Sequence, residues 1–487
     1  MHARDMQAGR DFAMLTRKPA AAPFSRAGLA ALALAAGLAA GRPAAARGPA
    51  PAATPGEAAP APARTPEVSD PMLALPPPAP RQIASWDDAL ALIRAQSPDY
   101  ASSAQSVVRA EAQKRIALAA VLPTLLGQVG YTHQFITQML PLGSGGTPET
   151  YPPPDVFALG GTLAWNVLNP RGLYGVKTAD VGIEVARLSF ADRRRAIAVA
   201  VVDALLSTLA AERVAELNRV GLRAALERLE LTRTRQQYGQ GTALDVDRAQ
   251  EDVESARALI LSGDESLRQA REALGVALGV PTATSAPGDL DLEQFEQSVA
   301  HTCRPNDDIE RRPDIAAARK RVEVASRAVR DAELMLAPSI ALSTQAQYQS
   351  EVVFGPNTNW SVQGVLNLPF YDGGARYGAM RDARAALEQA RQSLVSARLS
   401  AIVGSAQAFR EVTVLQASRE VARRQRDLAE RIDARTREGY ARGLGTSLDL
   451  VTSAQALRQA EIDLALLDFR VGSARAAAAL INAECLY

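Results

Sequence analysis

The sequence predicts a mainly α-helical protein with a small β part, built as a tandem duplication. Three observations carry that reading. Two stretches, around residues 124–168 and 339–368, alternate between apolar and polar side chains, the period of a strand with two different faces. No proline occurs between Pro170 and Pro281 or after Pro369, and these stretches are rich in Ala, Leu, Arg and Glu, the composition of long helices. Finally, Ser97-Pro98-Asp99 recurs as Arg312-Pro313-Asp314, and Pro123 recurs as Pro338, both at an offset of 215 residues.

Taken in order, Arg17, Lys18 and Arg26 precede an apolar run over residues 27–40 and the small residues Ala44, Ala45 and Ala46. A basic region, a short apolar core and an A-x-A-like site describe a secretory signal peptide over residues 1–46, with Met14 as an alternative start. The run is too short to span a bilayer. No cysteine lies near the cleavage site, so lipid attachment there is not expected. Residues 47–82 are Pro/Ala-rich and are expected to form a flexible or extended linker. The first structural repeat is assigned to residues 83–290, a junction to 291–308 and the second repeat to 309–487.

Each repeat carries one hairpin. Strands are expected over about 124–138 and 155–168, and over about 339–352 and 359–369, the latter pair joined by a turn at 354–357. Leu125, Tyr131, Leu163 and Trp165 fall on one face of the first hairpin, and Gln128, Thr132, Thr162 and Asn166 on the other. Leu342, Tyr348, Trp360 and Leu366 likewise oppose Ser343, Gln345, Ser361 and Gln363 in the second. An isolated hairpin is marginal in water. Two with the same pattern make sense if the apolar faces meet lipid and the polar faces line a water-filled lumen. Those eight apolar residues are the expected lipid-facing set. Hairpins packed on helices in a soluble protein are the competing reading.

After each hairpin comes a glycine-containing turn, NPRGLYG or YDGGARYG, and then a helix running to about Tyr238 or Tyr440. Each is roughly 65 residues, or about 98 Å at 1.5 Å per residue. In the first return helix Val246, Val253, Ile260, Leu267 and Leu274 recur every seven residues, and in the second Leu457, Leu464 and Val471 do so. These are coiled-coil seams, which an ordinary soluble coiled coil would also show. In the intervening turns glycine stops one helix and Thr or Ser caps the next, with Asp245 and Asp449 placed where a helix dipole favours them.

A formal net charge of +1 gives no case for nucleic-acid binding. The three histidines, His2, His133 and His301, show no metal-ligand spacing, and no phosphate loop or nucleophile motif is present. No enzyme activity, metal or cofactor is expected. Cys303 and Cys485 are the two cysteines, and spacing alone leaves a bridge and free thiols equally open.

Together these residues resemble the outer membrane efflux protein family, the TolC-like exit ducts of Gram-negative bacteria. The resemblance runs from about Trp86 to the C-terminus. It rests on the WDDALALIRAQSP opening, the strand-starting Pro123 and Pro338, Glu310-Arg311-Arg312-Pro313-Asp314-Ile315, Pro369-Phe370-Tyr371-Asp372-Gly373-Gly374 and the paired helix turns. The ERRPDI junction resembles the branch serving resistance–nodulation–division pumps, many of whose members carry a lipid-modified cysteine that this chain lacks. The resemblance implies a homotrimer in which each protomer gives four strands to a twelve-stranded transmembrane barrel, and its helices to an α-barrel tunnel crossing the periplasm. Residues 281–308 and the C-terminus would form a belt around that tunnel, so Cys303 and Cys485 are expected to pair there.

The implied function is passive conduction of small molecules such as drugs out of the cell. The implied partners are a periplasmic membrane-fusion adaptor, an inner-membrane pump (proton-driven in preference to ATP-driven) and outer-membrane lipid. A duct for type I protein secretion or metal export is the alternative, and a soluble periplasmic coiled-coil protein is the reading from a different class. By the same resemblance Gly239, Gly241, Thr242, Arg442, Gly443, Leu444 and Gly445 would form adaptor-docking tips. Tyr440 would bond Asp245 to close a periplasmic gate, and Asp449 would join an acidic ring. Thr452 stands where a second acidic residue would be, and Gly445 where an arginine would link the helices, a link that Arg442 could replace.

Overall fold

Strand β1 (Arg81–Gln82) leads into helices α1 (Trp86–Gln96) and α2 (Pro98–Ala119). Strands β2 (Thr124–His133), β3 (Gln138–Leu140), β4 (Glu149–Tyr151) and β5 (Asp155–Leu168) follow. Helix α3 (Pro170–Gln237) turns back as α4 (Ala243–Leu278), and β6 (Thr284–Ser285), α5 (Leu292–Thr302) and β7 (Cys303–Arg304) occupy the junction. The second repeat comprises α6 (Pro313–Leu334), β8 (Ser339–Gln349), β9 (Thr358–Asn367), α7 (Ala375–Ala441), α8 (Ser447–Leu480) and the terminal β10 (Glu484–Cys485). This computed structural model describes residues 68–140, 149–286, 292–304, 308–352 and 355–485. The expected signal peptide, residues 47–67 of the linker and part of the 354–357 turn lie outside them.

The duplication survives as geometry. Helices α2 and α6 are both 22 residues long, α3 and α7 are 68 and 67, and α4 and α8 are 36 and 34. Proline at the first helical position starts α2, α3 and α6, where its missing N–H costs nothing. At the second of these starts, the Arg312 guanidinium grips Asp314 through two bonds of 2.9 and 2.7 Å. At the first, Asp99 takes Arg193 of α3 at 2.6 Å. Both repeats are thus pinned at the residue following the shared proline. Among the described residues no helix is long and apolar enough to cross a membrane.

The four long strands form one antiparallel sheet in the order β2-β5-β8-β9. The helices follow the same lateral order. Helix α3 packs between α2 and α6 near the sheet, α7 packs on α6, and farther along α3 packs between α4 and α8, with α7 on α8. Since β2 follows α2 and β9 precedes α7, one open edge of the layer carries β2, α2 and α4 and the other carries β9 and α7.

The buried core gathers where α4 ends. Trp86, Leu90 and Ile93 of α1 meet Val201 and Leu205 of α3, Leu274 and Leu278 of α4, and Phe295 and Val299 of α5. Trp86 and Phe295 pack edge to face at 5.7 Å. The Cys303 and Cys485 sulfurs are bonded in this cluster, with β7 and β10 paired across the two residues. A second cluster follows the α3–α4 seam, where Leu222 and Leu229 meet the heptad residues Val253 and Ile260.

Two sequence expectations need correction. Strand β2 stops at His133 rather than continuing to 138; a separate short hairpin, β3–β4, follows. At that point Gln134 N bonds the Pro154 carbonyl, and Pro152 to Pro154 deny the partner segment the N–H groups that a continued ladder needs. The linker assigned to 47–82 is not free from residue 68 onward. Asp70 pairs with Arg257 at 2.7 Å, the Ala74 carbonyl accepts from Arg219 at 2.8 Å and the Pro77 carbonyl from Arg271 at 2.9 Å. Strand β1 then pairs in parallel with β6. An extended Pro-rich segment keeps its carbonyls free to accept, and arginines of α3 and α4 supply the donors.

Candidate functional site at the paired helix turns

Both long helices end in the same way. Gly239 (φ 72°) and Gly443 (φ 77°) adopt the left-handed conformation, which ends a helix without the penalty a side chain would incur. Gln240 N reaches back to Arg235 O, and Leu444 N to Gly439 O, each at 2.9 Å. Thr242 and Thr446 then cap α4 and α8, and Asp245 and Asp449 close capping boxes onto them. The two turns align as GQGTALD and GLGTSLD. Gly241 and Gly445 bring the backbone back over the preceding helix, and Leu444 stands 83% exposed at the tip.

The expected gate pair is not formed. The Asp245 carboxylate is held by the Ser447 hydroxyl and by Thr242 rather than by Tyr440. These bonds, the Ser447 one first, keep Asp245 below the ordinary carboxylate range. Tyr440 is buried beneath Arg235, whose guanidinium lies 4.4 Å above the ring and donates to the Tyr440 carbonyl at 2.8 Å. Arg442 does not supply the missing link either: it bonds Glu438 one turn back on its own helix. The cation joining the two outgoing helices is therefore Arg235. Asp449 stays with its cap, which lowers its pKa through the Thr446 side chain first, and Thr452 is exposed and bonds the Leu448 carbonyl at 2.9 Å.

Ser447 had a readable signal. It and Leu444 are the positions at which two otherwise identical seven-residue turns differ, Ser447 replacing Ala243. Arg235 had none, because nothing local distinguishes it from Arg233. Deeper along the helices, Asp252 is buried between repeats, taking Arg228 of α3 and Gln455 of α8, the latter at 3.0 Å. Arg458 of α8 lies across α3 at Gly221, where an added Cβ would come within 2.5 Å of it.

At the other end of the chain's long helices, strand register places Leu125 opposite Leu163, Trp165 opposite Leu342, Ala346 opposite Trp360, and Ile340 opposite Leu366. All eight residues expected on the apolar side, Tyr131 and Tyr348 included, therefore share one face across four strands. Gln128, Thr162, Gln345 and Ser361 occupy the other. The Trp165 indole donates to the Val121 carbonyl at 3.1 Å, and that of Trp360 to Thr344 at 2.8 Å.

Comparison with known proteins matches this geometry. The model of the family described as outer membrane efflux protein matches residues 89–280 and 305–483. The toluene efflux pump outer membrane protein TtgC of Pseudomonas putida is 29% identical over 186 residues, 37% of this chain and 38% of that protein. The outer membrane protein OprJ of Pseudomonas aeruginosa is 32% identical over 255 residues, 46% of this chain and 51% of that one. In both, the matched part is less than two thirds of the relative's length. The crystal structure of the outer membrane protein VceC of Vibrio cholerae superposes with a TM-score of 0.65 over 81% of this chain and 96% of that one, at 20% identity, so the fold is shared.

Proposed function

The chain belongs to the outer membrane efflux protein family, and from that premise we propose that it is the outer-membrane exit duct of a tripartite efflux system, conducting small molecules passively to the exterior. It is a protein of the Gram-negative outer membrane, with its helices extending into the periplasm. The observation that carries the duct reading is the open layer of sheet and helix. Its sheet has one apolar and one polar face, and β2 and β9 leave unpaired edges. In lipid each unpaired backbone group costs several kcal/mol, so such a sheet must close on further copies of itself. The edges lie on opposite sides of one layer, so head-to-tail association of identical chains closes sheet and helices together. Three copies, the number the family resemblance implies, give twelve strands.

The eight apolar strand residues then face lipid and the Gln- and Ser-rich face lines water. The tips around Gly239–Thr242 and Arg442–Thr446 point away from the barrel and present backbone to a periplasmic adaptor. The Ser447–Asp245 and Arg235–Tyr440 contacts hold the two helical hairpins of each chain together at that end. The cargo is read as small molecules because relatives are named for toluene and antibiotic efflux pumps, and an inner-membrane pump, proton-driven, supplies the energy. The test is direct. Purified oligomer from the outer-membrane fraction should give stepwise conductance in planar bilayers, and loss of the gene should raise accumulation of a fluorescent pump substrate. Absence of both would overturn the reading.

A further inference from the structure

A recess of about 850 Å³ crosses α3, α4, α7 and α8 some way below the buried core, and neither the tips nor the sheet uses it. Its volume is that of a site for a drug-sized molecule. The apolar part comes from Val214, Leu259, Leu415, Ile462, Leu466 and Phe469. The charged side chains on its wall are Asp203, Glu411 and Arg470, two carboxylates against one guanidinium, a net charge of −1. Asp203 accepts a bond from Ser473 at 2.8 Å. Asn218 is 4% exposed on the same wall; its Nδ2 donates to the Leu259 carbonyl at 3.0 Å, while its Oδ1 has no partner among the described residues. A buried acceptor without a donor is costly, and a ligand N–H would relieve that cost.

We infer that this recess binds an amphipathic small molecule carrying one positive charge and at least one N–H donor, its aromatic or aliphatic body against α8 and its cationic end toward Asp203 and Asn218. The site's place on a conducting path rests on the duct reading; binding itself does not. The probe is rhodamine 6G, an aromatic cation with N–H donors, titrated by fluorescence anisotropy into the purified oligomer in detergent, beside an anionic dye of similar size. Saturable binding of one rhodamine per chain is expected. Ser207→Trp, which fills the recess, and Asp203→Asn, which removes a carboxylate, should each weaken it about tenfold, the equivalent of one charge-assisted bond. Asn218→Leu should do the same; should that variant fail to assemble, the other two carry the test. No saturable binding, equal binding of the anionic dye, or unchanged affinity in both Ser207→Trp and Asp203→Asn would each overturn the site. Drug susceptibility is read separately. Resistance without dye binding removes the site and leaves the duct, whereas binding without a resistance phenotype does the reverse.

Discussion

Ser447 and Asp245 tie the first turns of α8 and α4 together, and Arg235 ties the end of α3 to Tyr440 of α7. A charge-assisted bond is worth roughly 1.5–3 kcal/mol when shielded and less when partly exposed, as these are. Arg235→Met combined with Ser447→Ala is therefore expected to raise single-channel conductance and admit large antibiotics. Tyr440→Phe keeps both the ring and the carbonyl that Arg235 uses, and should conduct like the parent. If Tyr440→Phe alone opens the channel, the tyrosine hydroxyl matters in the assembled state after all. The pH response follows from the same carboxylate. Asp245 is depressed in the folded chain, by the Ser447 bond first and the Thr242 amide next. Its stabilisation is complete above the unfolded carboxylate value and is lost as pH falls through the lowered folded value. Conductance of the parent should be flat between about pH 8 and pH 5 and rise only below about pH 4, and Asp245→Asn should remove that acid response.

At the scale of elements, the sheet and the helix turns make separate predictions. Leu342 and Gln345 are three residues apart on β8 and on opposite faces, opposed to Trp165 and Thr162 of β5. Leu342→Arg should cost ~2–4 kcal/mol at mid-bilayer and deplete the heat-labile oligomer from the outer membrane, while Gln345→Arg should be tolerated. Equal abundance of the two variants would reverse the face assignment. At the tip, Gly443 has open space around its Cβ position but a φ of 77°. Gly443→Trp should assemble normally yet abolish efflux by blocking the approach of an adaptor. Gly443→Asn, which tolerates that backbone, should retain efflux. Loss of efflux in both, or in neither, would move docking elsewhere. The strands and helices behind these predictions were legible because each has a simple period, two for β8 and seven for Val253, Ile260 and Leu267. The end of β2 was not, because alternation continues through Gln134 and Phe135 after the ladder has lost its donors.

Across the whole molecule, the Cys303–Cys485 bond closes a separation of 182 residues and ties β10 to β7 inside the core under α1. The chain-entropy model assigns such a loop about 5 kcal/mol. Cys485→Ser should lower the melting temperature of the purified oligomer by several degrees, and the parent should show no free thiol when denatured without reductant. Quantitative labelling of two thiols would rule the bond out. The sequence by itself determined the helix-rich class, the duplication, the strand faces and the paired turns. Each of these is written in spacing along the chain, where a residue's neighbours at two, seven or 215 positions carry the pattern. Only the tertiary structure decided that residues 68–82 are docked, that Ser447 rather than Tyr440 holds Asp245, and that Arg235 is the cation between the hairpins. The physical reason is common to all three. A Pro-rich segment has the same composition free or docked, and the partner of a carboxylate or guanidinium is chosen by distance between helices that meet only after the chain has folded.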